Sequence, residues 1–66
     1  MSLVEKQHTN DNYYITMEHK NNCIVVQVCP RIDENLCGYP IREMTYTINE
    51  KEKANNTFKR YVKKYI

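Results

Sequence analysis

Tyr13-Tyr14-Ile15-Thr16-Met17-Glu18-His19-Lys20-Asn21-Asn22-Cys23-Ile24-Val25-Val26-Gln27-Val28-Cys29 decides the fold of this chain. In its first half Tyr13, Ile15 and Met17 alternate with Tyr14, Thr16 and Glu18, the period of two that marks a strand with one buried face. Asn21-Asn22 follows, a pair that tolerates the positive φ angles of a tight hairpin turn. Cys23–Cys29 is rich in β-branched residues and runs into Pro30, which lacks a ladder donor and is expected to stop the strand. With Asn21 and Asn22 as the loop, Lys20 opposes Cys23, Met17 opposes Val26 and Ile15 opposes Val28. One face then collects Tyr13, Ile15, Met17, Ile24, Val26 and Val28. A slip of one residue would scatter that set over both faces, so turn and pattern specify the same register.

Downstream, residues 30–40 carry both prolines and the only glycine and read as a long loop. A third strand is expected from Ile41 to Ile48, with Met44, Tyr46 and Ile48 on the buried side and Arg42 near its solvent-facing start. Asn49 then offers an N-cap, and Glu52 completes a capping-box-like pair. In the helix that follows, Ala54, Phe58, Tyr61, Val62 and Tyr65 fall within an arc of about 100°, the width of a core-facing stripe. Upstream, residues 1–12 show no period and are expected to form a flexible arm; the opening Met-Ser-Leu also fits an expression-vector remnant. The expected fold is α+β: one small β-β-β-α domain over residues 13–66, a three-stranded antiparallel sheet with a C-terminal helix packed on one face.

At 66 residues the chain is sized for one small domain, which buries only about 60% of its unfolded surface and gains from self-association. No apolar run approaches the roughly 18 residues that cross a bilayer, and the N-terminus lacks a hydrophobic signal core, so a cytoplasmic protein is expected. Cys23, Cys29 and Cys37 are odd in number and lack CxxC spacing, which argues against a disulfide framework or a zinc site. Cys29 and Cys37 bracket one loop and are the candidates for a bridge, but a reducing compartment favours reading the cysteines as small buried hydrophobes.

Catalysis finds little support. His8 falls in the arm, His19 lies near the hairpin tip, and neither has a placed nucleophile or carboxylate beside it. Ser2 is the only serine. Asp33 and Glu34 share a loop without a cleft. A metal drawn from His19, Cys23, Cys29 and Cys37 is disfavoured because His19 points to the helix side of the hairpin while Cys23 and Cys29 point away from it. A single glycine cannot build a phosphate-cradling loop. A non-enzymatic protein without cofactor or small-molecule substrate is expected.

Charge is the informative remainder. Residues 49–66 hold six Lys/Arg against two acids, whereas residues 1–48 hold four against six. Lys53, Lys59, Arg60, Lys63 and Lys64 lie opposite the apolar stripe, where they are placed to neutralise phosphates. Acids in the first turn and cations in the last also suit the helix dipole. A binding module that contacts nucleic acid through these five cations is the first expectation. The alternative is a homodimeric protein–protein interaction or inhibitor module. It would use the 30–40 loop and the uncovered sheet face of Tyr14, Thr16, Glu18, Cys23, Val25, Gln27, Cys29, Thr45 and Thr47, with Tyr14, Val25, Leu36 and Tyr39 as anchors. The order of three strands and a helix is similar to that of the arm-binding domains of phage and transposon integrases and of plant AP2-type DNA-binding domains. Those modules read DNA with a sheet face rich in Arg and aromatic residues, whereas the face here is rich in Thr, Cys, Val and Glu. That likeness implies strand order and carries no residue over.

Overall fold

The computed structural model describes residues 2–33 and 36–66. Strands β1 (Ser2–Thr9), β2 (Tyr13–Lys20), β3 (Cys23–Asp33), β4 (Leu36–Cys37) and β5 (Arg42–Thr47) precede a 3-10 turn at Ile48–Glu50 and helix α1 (Lys51–Lys64). The sheet is antiparallel throughout, and its main order is β1-β2-β3-β5. β4 pairs with the far end of β3, at Arg31 and Asp33.

The central hairpin has the expected register: Lys20 opposes Cys23, Met17 opposes Val26 and Ile15 opposes Val28. Asn21 takes the turn with φ of 43°, the left-handed region that asparagine tolerates. Ile15, Met17, Ile24, Val26 and Val28 are fully buried and join Ala54 and Phe58 of α1 in one core, with Tyr13, Tyr46, Tyr61, Val62 and Tyr65 packed around it. Burying each such aliphatic side chain is worth about 1.5–3 kcal/mol, which makes this face the main source of stability.

Three expectations need correction. Residues 2–9 are not a free arm: they pair with β2 along its length, with a bulge between Val4 and Lys6. At the bulge Glu5 turns to the helix side, where its carboxylate lies 3.4 Å from His19 Nδ1 and 3.4 Å from Lys51 Nζ. Asn10 closes the turn into β2, its Oδ1 accepting from the backbone N–H of Asn12 (2.9 Å) and Tyr13 (2.7 Å). The sheet therefore has more strands than the three expected.

Second, Pro30 does not end β3, which continues to Asp33. Pro30 opposes Tyr13, the first residue of β2, so it sits where pairing with β2 finishes. Its carbonyl is still used, accepting from Gly38 N–H at 2.8 Å. A Cβ on Gly38 would lie 3.1 Å from Pro30 Cγ, so glycine permits this close return of the chain. Positions 34 and 35 of the expected loop lie outside the described residues.

Third, the turn into the helix starts earlier than Asn49. Glu50 Oε1 accepts from the Thr47 N–H (3.0 Å) and the Thr47 hydroxyl (3.1 Å), so the pair that caps the chain is Thr47 and Glu50 rather than Asn49 and Glu52. These hydrogen bonds, the backbone one foremost, hold the Glu50 carboxyl below the usual glutamate range.

Candidate nucleic-acid interface

Helix α1 lies across β2, β3 and β5, and its core stripe dictates what remains outside. Ala54, Thr57 and Phe58 are buried. At 100° per residue, Lys59, Lys63, Arg60, Lys53 and Lys64 then occupy an outward arc of about 140°. All five side chains are exposed.

Their partners differ along the helix. Lys53 Nζ lies 3.4 Å from Glu50 Oε2, so its charge is already engaged. The other lysines before residue 59 are engaged as well: Lys6 with Asn55, Lys20 with Glu18 at 3.7 Å, and Lys51 with Glu5. Among the described residues, Lys59, Arg60, Lys63 and Lys64 pair with no carboxylate. Lys64 Nζ lies 5.5 Å from the centroid of the Tyr65 ring, a cation–π distance that leaves the ammonium open on its other side. Among the described residues, no acid neutralises the positive charge of the last two turns. Glu52, an acid of the first turn, stands about 10 Å before Lys59 along the axis.

The tyrosines beside these cations belong to the core. Tyr65 packs edge-on against Tyr13 (centroids 5.3 Å apart) and Tyr61 (5.9 Å). Burial raises the Tyr61 phenol, with Tyr46 and Tyr65 adding to the effect, so it stays protonated and neutral. The Tyr65 carbonyl accepts from Asn10 Nδ2 at 2.8 Å, which anchors the helix end to the β1–β2 turn.

Between β1 and α1 lies an open groove of about 310 Å³ lined by Gln7, His8, Phe58, Lys59, Val62 and Lys63. Phe58 and Val62 supply an apolar floor, the two lysines stand on the helix side, and no carboxylate lines it. His8 opposes Ile15, so its side chain is on the helix-facing side of the sheet. This groove escaped the sequence reading because its second wall is β1.

The anchors expected for a protein partner are not all accessible. Val25 is 7% exposed and too buried to anchor anything. Thr16 and Cys29, on the same outer face, are 2% and 8% exposed. Long neighbours shade these small central residues: Gln27 Nε2 donates to Glu18 Oε1 (3.4 Å), and the Tyr14 hydroxyl donates to Gln7 Oε1 (2.8 Å). The outer face is closed by polar bridges rather than open and apolar. Leu36 and Tyr39 instead stand exposed, 52% and 92%, beyond the Tyr14 end of the β2–β3 ladder, where Cys37 opposes Arg31, with Ile32 at 63%. Gly38, Tyr39 and Pro40 with Ile32 and Cys37 line a shallow cleft there of about 450 Å³.

All three cysteines are free thiols. Burial, helped by Cys37 nearby, pushes the Cys29 thiol up, which disfavours the reactive thiolate. His19 lies with Glu5 and Lys51 on the helix side, while Cys23 and Cys29 face the other way, so these side chains do not converge. Among the described residues no helix is long and apolar enough to cross a membrane. No known protein-family profile matches the chain, and no curated protein sequence or solved structure matches it significantly. The strand order also departs from the three strands and a helix of integrase and AP2-type modules, since β1 pairs with β2 ahead of the central hairpin.

Proposed function

We propose that this protein is a small non-enzymatic binding module that contacts nucleic-acid phosphates through Lys59, Arg60, Lys63 and Lys64. One observation supports this reading above the others. Lys20, Lys51 and Lys53 each meet a carboxylate, whereas Lys59, Arg60, Lys63 and Lys64, together on one exposed helix face, meet none among the described residues. A surface that displaces counterions from a polyanion gains from clustered cations left unpaired. Lys53, engaged by Glu50, drops out of the contact set.

The test is binding of a fluorescent single strand and a duplex of mixed sequence at low and moderate salt. Phosphate contact predicts binding at low salt that weakens steeply as salt rises. Absence of binding to both probes at low salt would exclude the reading.

A second reading is favoured by the exposure of Tyr39, Leu36 and Ile32: self-association through the β3–β4 hairpin, with the outer sheet face playing no part. Aromatic and aliphatic side chains left this open are typical of interface cores. Sedimentation at high protein concentration tests it. A dimer that Tyr39→Ser and Leu36→Ser dissolve supports the hairpin contact, and a strict monomer rejects it.

A further inference from the structure

The groove between β1 and α1 carries more than a phosphate contact requires. A surface that only neutralises a backbone needs cations and nothing else, and Arg60 and Lys64 already provide that. Lys59 and Lys63 instead border a concave floor of Phe58 and Val62, with His8 across from them. They are one helical turn apart, about 6 Å between their Cβ atoms, and both project beside the same apolar recess.

Two properties of the groove narrow its ligand. Its floor is apolar, formed by Val62 and the small exposed part of Phe58, so it favours a weakly polar group. Its rim is cationic without any acid, so that group must be joined to an anion. A single-headed amphiphile would satisfy Lys59 and Lys63 but leave the rest of the outward arc, Arg60 and Lys64, without a ligand. A polymer that alternates flat apolar groups with anions satisfies both. Resting on the nucleic-acid reading above, the geometry points to a nucleobase site: one unstacked base seats between His8 and the Phe58–Val62 floor, and its flanking phosphates lie on Lys59 and Lys63. The preferred ligand is therefore single-stranded nucleic acid. A base paired inside a duplex cannot enter such a recess without leaving the stack.

Three fluorescent probes of equal length separate the outcomes: a twelve-nucleotide oligothymidine, the same backbone without bases, and a duplex. At one salt concentration the oligothymidine binds about tenfold tighter than the abasic strand, the order expected for one base on an apolar and aromatic floor. The duplex, whose paired bases cannot enter the recess, binds less tightly than the oligothymidine. His8→Ala reduces the preference for oligothymidine over the abasic strand to about threefold or less, while thermal unfolding shows that the variant remains folded. In the wild-type protein, oligothymidine shifts the NMR signals of the Phe58 ring and Val62 methyls, and the abasic strand leaves them in place. Equal binding of the two strands, still dependent on Lys59 and Lys63, overturns the nucleobase site and leaves phosphate contact standing. No binding of any probe at low salt overturns both, as does binding only to anionic lipid vesicles.

Discussion

Asn10 Nδ2 donates a 2.8 Å hydrogen bond to the carbonyl oxygen of Tyr65, joining the β1–β2 turn to the end of the helix. The same residue's Oδ1 holds the turn itself, and its carbonyl accepts from Arg31 Nη1 at 2.7 Å. Through its side chain and its own carbonyl, one residue thus joins the β1–β2 turn, β3 and the end of the helix. Asn10→Ala leaves two turn N–H groups and a helix-end carbonyl without this partner. Chemical denaturation should show a loss of about 1–3 kcal/mol, accompanied by faster amide exchange at the C-terminal helix turn. A variant as stable as the wild type would mean that the N-terminal segment is not part of the cooperative unit.

The Tyr46 hydroxyl and Thr57 Oγ1 lie 2.5 Å apart, joining strand β5 to the helix. Thr57 is buried, so losing one partner leaves the other without its hydrogen bond in a dry site. Tyr46→Phe should cost about 1–2 kcal/mol, and adding Thr57→Val should cost much less than the two single changes summed. Additive losses in that double-mutant cycle would show that the two hydroxyls do not interact in solution.

How far the sequence foretold these contacts depends on what each element buries. The β2–β3 register was legible because its apolar period, its β-branched residues and its Asn-Asn turn all demand one arrangement. The helix stripe was legible for the same reason. Strand β1 was not: Glu5, Lys6, Gln7 and His8 form a solvated edge held by backbone pairing and by Glu5 reaching His19 and Lys51, which leaves no apolar signature. Pro30 misled because a proline ends a strand only where its missing donor is needed. Thr57 also escaped notice, since a threonine beside the stripe counts as polar until Tyr46 is brought opposite it. For the site, the cations could be read from composition, but which were already neutralised depended on Glu5 and Glu50 meeting them in three dimensions.

Glu50 supplies a pH dependence. Its folded carboxyl lies below the usual range, chiefly through the Thr47 N–H. A depressed carboxylate adds stability that is present above its unfolded pKa and is lost as pH falls through the folded value. Wild-type protein should therefore lose stability below the ordinary glutamate range, and Glu50→Gln should show a shallower acid-side decline. Parallel profiles for the two proteins would assign the decline to other groups.

Self-association through the β3–β4 hairpin predicts a concentration-dependent sedimentation coefficient that Tyr39→Ser lowers to that of the monomer. Because Tyr39 is 92% exposed, the same change should alter monomer stability by no more than about 0.5 kcal/mol. An unchanged sedimentation profile would remove the hairpin from any interface.

The salt dependence of single-strand binding tests the central claim most directly. Each phosphate contact contributes about 0.7 to the slope of log affinity against log salt. Lys59, Arg60, Lys63 and Lys64, acting together, predict a wild-type slope near −2.8 on that basis, about 1.4 units shallower in the Lys59→Ala/Lys63→Ala variant. Lys53→Ala, already neutralised by Glu50, should leave the slope close to that of the wild type. A slope that the Lys59/Lys63 pair does not change, or affinity that salt does not reduce, would contradict phosphate contact through this helix.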